Sequence, residues 1–480
     1  MKKEFFNVLA FFLIFFFCFA QKIPQSNIKP NIIYINVDDL GWMDTGTYGS
    51  TFYETPNIDK LAKSGMKFTQ GYAAAANCAP SRACFISGQN TPRHGIYTVG
   101  NSDRGIAKAR KLIPIENKEI LADSVITIAE IFKQQGYVTG TFGKWHLGND
   151  AKTQGFDVNK GGGGQGSPGK GGYFSPYNLP FLENGPEGEN LTDRLTQESI
   201  QFITANKDKP FFVYLPFYAV HTRLETSTEL KEKYANKGGN ELQNNAVYAG
   251  MIETVDKNVG VLLEALKKLN LENTLIVFTS DNGGIRGISS QYPLRAGKGS
   301  YYEGGIRVPF IVSWKGEIAP NTVSKTPITN LDFFPTFMDI LGVKLSGKVL
   351  DGVSILPVLK GNKIKTRDLF FHFPIYLQAY SGKNDDSRDS LFRTRPGSVI
   401  VEGNWKLHQY FEDNALELYN LETDLGERNN LVEVNPLKAN ELLKKLDNWR
   451  NETKAPIPTQ INPGYDATFI PPKNSKINNE

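Results

Sequence analysis

From Asn31 onward, short runs of β-branched and aromatic residues alternate with stretches of helical period. Asn31 to Val37 (NIIYINV) is mostly apolar and β-branched or aromatic, and reads as a buried strand. Ser124 to Gln135 reads as a helix with Asp123 as its N-cap and Gly136 ending it, and Val138 to Phe142 as the next strand. Phe211 to Leu215 and Leu275 to Thr279 repeat the theme. The second of these comes after a long helix whose Val247, Met251, Val255, Val259, Leu262, Leu266 and Leu269 hold one face. Strand after helix, repeated, predicts an α/β fold built on a large, mostly parallel sheet flanked by helices.

After about Gly361 the grammar changes. Ser398 to Glu402, a Gly403-Asn404 turn, Trp405 to Phe411 and Leu416 to Tyr419 predict a smaller antiparallel sheet. A final helix opens at Pro436 with Leu442, Leu443, Leu446 and Trp449 inward, and beyond Lys454 the Pro-, Asn- and Lys-rich chain reads as an extended or disordered tail. Gly155 to Gly172 reads as a long flexible loop, either lining a pocket or solvated. The 480 residues thus divide into an N-terminal domain over 28–360, a C-terminal subdomain over 361–454 and a tail over 455–480.

Composition narrows the class. Hydrophobic residues at 40% and charged residues at 22% supply a core and argue against disorder. The surplus of Lys and Arg over Asp and Glu, 54 to 50, forms no basic stripe, so no nucleic-acid partner is expected. Met1-Lys2-Lys3, an apolar run from Phe5 to Phe19 too short to span a bilayer, and Ala20 before Gln21 read as a signal peptide over 1–20. A lipid anchor at Cys18 is the weaker reading, because Phe17 and Phe19 flank it where small residues belong. The expected location is secreted or periplasmic, with no membrane span in the mature chain. Cleavage leaves Cys78 and Cys84 and no disulfide framework.

In parallel sheets ligands bind beyond the carboxyl ends of the strands, so the residues just past each strand matter most. The first strand delivers Asp38-Asp39, the strand ending at Thr279 delivers Asp281-Asn282, the strand ending at Phe142 delivers Lys144 and His146, and the strand from Phe211 leads to His221. Three carboxylates and a carboxamide at one edge repel one another unless a hard cation sits among them, and oxygen ligands of this kind suit Ca²⁺ or Mg²⁺ rather than Zn²⁺. By that reasoning, removing Asp281 relieves repulsion in the metal-free protein. Lys144 and His146, two apart, share one face if their segment is extended. Lys298 lies in a glycine-flanked run, Arg295 to Ser300, and reads as either a pocket residue or a solvated loop lysine.

The segment Cys78-Ala79-Pro80-Ser81-Arg82, continuing to Ile86-Ser87-Gly88, resembles the recognition motif of the type I sulfatases of the alkaline-phosphatase superfamily, with Ile-Ser-Gly where Leu-Thr-Gly is usual. The resemblance runs from about Asn31 to Arg450 and includes GKWHLG at Gly143 to Gly148 and GGIRVP at Gly304 to Pro309. It implies that Cys78 is oxidised to formylglycine (3-oxoalanine) by a formylglycine-generating enzyme. It implies one Ca²⁺ held by Asp38, Asp39, Asp281, Asn282 and the modified Cys78. It places Arg82 beside the nucleophile, Lys144 and Lys298 on the sulfate oxygens, His146 at the second hydroxyl of residue 78 and His221 near the leaving oxygen. Ser167 is the candidate for a further polar contact after His146, and Cys84 reads as a core residue.

The expected substrate is a sulfated oligo- or polysaccharide, with His372, Arg393 and Arg395 as candidate sugar contacts. Two alternatives carry different signatures. A phosphodiesterase or phosphonate hydrolase of the same superfamily commonly holds two metals through additional Asp and His ligands, and no second set is visible. A non-catalytic glycan-binding protein on the same fold would have no use for so complete a set of catalytic positions.

Overall fold

The computed structural model describes residues 29–380 and 385–470, so the expected signal peptide lies outside the described residues. Among these, eight strands form one sheet in the order Val158–Lys160, Val138–Phe142, Phe211–Pro216, Asn31–Val37, Thr274–Ser280, Phe310–Trp314, Met66–Phe68, Thr322–Ser324. The pairings are parallel except at Phe310–Trp314, which runs antiparallel to both neighbours. A reversed strand in an otherwise parallel sheet is a common variant, and its reversal leaves the expected α/β architecture intact.

All seven residues of Asn31–Val37 are buried because helices cover both faces. Ile33, Ile35 and Val37 join one apolar cluster with Val255, Val259 and Leu262 of the helix Ala246–Lys268, while Ile32 and Tyr34 point the other way, toward Phe85, Ile128 and Phe337. The predicted helix beginning at Ser124 is shorter, Ile128–Gln134. Thr127 caps it, accepting from the Glu130 amide while the Glu130 carboxylate accepts from the Thr127 amide. Asp123 instead accepts from the side chain of Gln154. The Gly155–Gly172 segment is not all loop, since Val158–Lys160 adds an edge strand.

A second, antiparallel sheet runs in the order Asp368–Phe373, Gly397–Glu402, Trp405–Tyr410, Leu416–Asn420. One face, with Ile400, Leu407 and Leu418, receives Leu442, Leu446 and Trp449 of the helix Pro436–Thr453. The other, with Leu369, Phe371 and Val399, packs on Tyr72, Tyr301 and Ile306 from the large-sheet half. A buried ionic cluster crosses this seam. Lys406 Nζ lies 2.9 Å from both Glu303 and Glu427, all three side chains being fully buried, and the Glu303 amide donates to Glu427 at 2.5 Å. As far as residue 470 the tail is extended and held against the body of the protein. Its backbone bonds to the 108–113 segment through Ile113 to Gln460, Asn462 to Lys111 and Asp466 to Lys108. No helix among the described residues is long and apolar enough to cross a membrane.

Candidate active site

Four loops at the carboxyl edge of the large sheet meet a helix N-terminus. After Val37 the chain turns through Asp38 and Asp39, Asp39 at φ 63°. The Asp38 amide and carbonyl bond to Ala219 and Val220, which brings His221 alongside, its Nε2 3.7 Å from Asp39. After Ser280, Asp281 accepts the Asp39 amide at 3.2 Å, and Asn282 Nδ2 donates to Asp39 at 2.7 Å. After Phe142, Gly143 takes φ 126° where a Cβ would lie 2.0 Å from the Pro216 carbonyl, a position only glycine fills. Lys144 comes next and its Nζ reaches Asp38 at 2.6 Å.

Cys78 opens the helix Cys78–Ser87 and its Sγ lies 3.5 Å from Asp38. Arg82 stands one turn further on the same face. Its guanidinium holds Asp281 at 2.7–2.8 Å and donates to the Lys144 carbonyl at 2.7 Å. Ser81, between them, faces away and accepts from Asn330, a structural role in the motif. Lys298 reaches in from the loop after the Thr274–Ser280 strand, 2.7 Å from Asp39, with its own amide bonded to the Gly284 carbonyl.

Three buried carboxylates thus face three buried cations. Oxygens of Asp38, Asp39 and Asp281 lie within 4.8 Å of one another, and Asn282 Oδ1 is buried without a hydrogen-bond partner. An oxygen donor set with one orphaned carbonyl fits a hard divalent cation. Burial works to raise Asp39, yet Lys298 and His221 hold its carboxyl below the usual range; at Asp38 burial wins over Lys144 and the carboxyl moves up. Burial, and then Lys298, push His221 down to about 4, and burial with Lys144 holds His146 well below the ordinary imidazole value. Burial likewise pushes the Cys78 thiol up to about 12, so an unmodified cysteine here carries almost no thiolate at neutral pH.

A sequence model of the sulfatase family matches residues 30–343, and a model of the C-terminal part of N-sulphoglucosamine sulphohydrolase matches residues 297–454. A sulfatase from Formosa agariphila is 34% identical over 95% of both chains. The chain belongs to the sulfatase family. N-acetylgalactosamine-6-sulfatase of Canis lupus familiaris is 32% identical over 74% of this chain and 70% of its own. The crystal structure of Ps i-CgsB in complex with k-i-k-neocarrahexaose superposes with a TM-score of 0.72 at 30% identity, covering 90% of this chain and 95% of that one.

In this sulfatase the sequence-derived positions converge with few exceptions. Cys78, Arg82, Lys144, His221, Lys298 and the four Asp and Asn side chains meet in one buried cluster. His146, at φ 63°, is held by its amide on the Gly163 carbonyl and lies against Gly166, where a Cβ would come 2.6 Å from its ring; its Nδ1 is buried without a partner. The glycine-rich segment is therefore a wall of the pocket. Ser167 accepts the Gly169 amide within its own turn. Cys84 is buried beside His94, as a core residue.

Two of the candidate sugar contacts have structural partners instead. His372 is 1% exposed and bonds Ser398 and the Pro456 carbonyl, and Arg395 is ion-paired with Asp389 and Glu412. Arg393 differs. It carries no carboxylate partner among the described residues, and its Nη1 lies 3.3 Å from the Lys298 carbonyl. Two neighbours escape a sequence reading. Tyr380 lies under the Arg393 guanidinium, 3.8 Å from ring centroid to carbon, and Arg104 is reached only through the fold. Neither sits in a motif or at a strand end, so no pattern marks them.

Proposed function

We propose that this sulfatase hydrolyses sulfate esters of a carbohydrate, with residue 78 acting as formylglycine and Asp38, Asp39, Asp281 and Asn282 holding Ca²⁺. The observation that carries this reading is the Cys78 side chain, buried at a helix N-terminus and aimed at Asp38 amid three carboxylates and three cations. A thiol raised to about 12 is ill suited to attack as a cysteine, and the same position suits an oxidised residue. The bound oligosaccharide of Ps i-CgsB supports the carbohydrate class.

When present, the cation and the aldehyde hydrate at residue 78 supply a Lewis acid and a nucleophilic oxygen. The chain's own groups do the rest. Arg82, Lys144 and Lys298 oppose the charge on the sulfuryl oxygens from fixed positions, so no reorganisation is needed as that charge moves. His146 has a free buried nitrogen to take a proton at residue 78. His221, its Nε2 3.7 Å from Asp39, donates a proton to the sugar oxygen as it leaves. Maturation by a formylglycine-generating enzyme and export belong to the same proposal.

The test is paired. The tryptic peptide carrying residue 78 should show exchange of H₂S for O, and chelation should abolish sulfate release from sulfated oligosaccharides, with Ca²⁺ restoring it. Full turnover by protein with an intact Cys78 thiol, or by metal-depleted protein, would refute the reading.

A further inference from the structure

Beyond the sulfate pocket, two arginines, one on a two-stranded ribbon and one from the loop packed on it, have no carboxylate partner among the described residues. Arg393 lies on the strand Phe392–Thr394, which pairs antiparallel with Leu377–Gln378. Its Nε donates to the Gln378 carbonyl at 2.9 Å and its Nη1 to the Lys298 carbonyl at 3.3 Å, and its plane stacks on Tyr380. It is 8% exposed. Arg104 comes from the loop that packs on the same ribbon. The Tyr376 amide bonds the Ser102 carbonyl at 2.8 Å, and a Cβ on Gly105 would lie 2.7 Å from the Phe392 ring and 3.3 Å from Gln378. Arg104 is half-buried, and its guanidinium donates to the Val99 carbonyl at 2.6 Å.

Buried or half-buried cations are ordinarily paired, and other arginines of this region are. Arg395 has Asp389 and Glu412, Arg388 has Asp413, and Arg428 has Asp386. The carboxylate beside Tyr380, Asp385, accepts the Tyr380 amide at 2.8 Å. Arg393 holds the Lys298 carbonyl and the loop carrying Arg104 packs on Phe392 and Gln378, so both arginines border the Lys298 side of the catalytic pocket; burial first, then Arg393, pulls Arg104 below the ordinary guanidinium range. Two like charges kept there are stabilised when an anion lies between them, and the planar guanidinium fork matches the oxygens of sulfate and carboxylate.

We propose that Arg104 and Arg393 form an anion subsite beside the sulfate pocket, taking a second negatively charged group of the same substrate. The natural substrate is then a glycan with at least two anionic groups, one removed at residue 78 and one read by the arginine pair. This inference rests on the carbohydrate sulfatase reading above. It adds a charge requirement that the sulfate pocket alone does not impose.

The experiment uses the full-length matured protein and a panel of hexose monosulfates, the same hexoses carrying a second sulfate, and sulfated disaccharides carrying a hexuronate carboxylate. The quantity read is the ratio of kcat/KM for doubly over singly charged substrates sharing one scissile position. Wild type should prefer a doubly charged substrate by about tenfold or more, a preference that weakens as salt rises. Arg104→Gln should lower that ratio by about tenfold, and Arg104→Lys, which keeps the charge without the fork, should fall between. Arg104 is chosen because Arg393 also holds the Lys298 carbonyl. Whether the second sulfate or the carboxylate gives the preference identifies the anion. Sulfate release with no preference for double charge, or a preference unchanged in Arg104→Gln, overturns the subsite and leaves the hydrolase standing. No sulfate release from any substrate overturns the hydrolase reading, and the subsite falls with it.

Discussion

Asp281 shows how much a single partner alters an argument about charge. Three carboxylates in isolation predict that removing one relieves repulsion. The Arg82 guanidinium, wholly buried and bound to Asp281 at 2.7–2.8 Å, reverses that expectation. Asp281→Ala leaves Arg82 the Lys144 carbonyl and, as its one carboxylate among the described residues, Asp38 at 3.8 Å, so we expect activity to vanish and stability to fall by about 3 kcal/mol or more, the usual cost of stranding one partner of a buried pair. Urea denaturation in metal-free buffer checks this, and a stability gain would restore the repulsion argument. His221 makes a kinetic prediction. If it protonates the leaving oxygen, His221→Ala slows sugar sulfates more, by about 10²-fold, than nitrophenyl sulfate, whose leaving oxygen needs no proton. Equal losses on both would reduce it to a binding residue.

At the scale of elements, most of the layout was legible. Asn31–Val37 and Val138–Phe142 have the bounds read from the sequence, and both are buried along almost their whole length because helices cover the two faces of the sheet. The strand-end residues were legible too, since the sheet edge collects the residues just past each strand. The helix start at Thr127 was not, because Asp123 and Thr127 are both good N-cap types and only the reciprocal bond with Glu130 decides between them. Thr127→Ala should therefore cost about 1 kcal/mol, and Asp123→Ala much less, by thermal or urea unfolding. Equal costs would mean that the cap contributes little. Arg104 and Tyr380 were illegible because their meeting depends on a two-stranded ribbon of minimal length, with no periodicity to read.

Across the whole molecule, the two sheets share a seam in which Lys406, from the antiparallel sheet, lies between Glu303 and Glu427, with Arg307 on the far side of Glu303. Glu303 ends the same connection that carries Lys298, and the Lys298 carbonyl is held by Arg393 from the C-terminal half. Lys406→Met leaves Glu303 its Arg307 partner but leaves Glu427 only His408 as an ion-pairing side chain among the described residues, so we expect a loss of about 3 kcal/mol and one cooperative transition in calorimetry for both wild type and variant. Two separate transitions in wild type would show that the halves fold independently. The seam also bears on recombination between relatives. A chimera that joins the first 360 residues of one sulfatase to the last hundred or so of another exchanges Lys406 and Glu427 without exchanging Glu303, and so separates residues that work as a set. Fragments of this fold are inherited usefully only when the 295–307 loop travels with the C-terminal sheet.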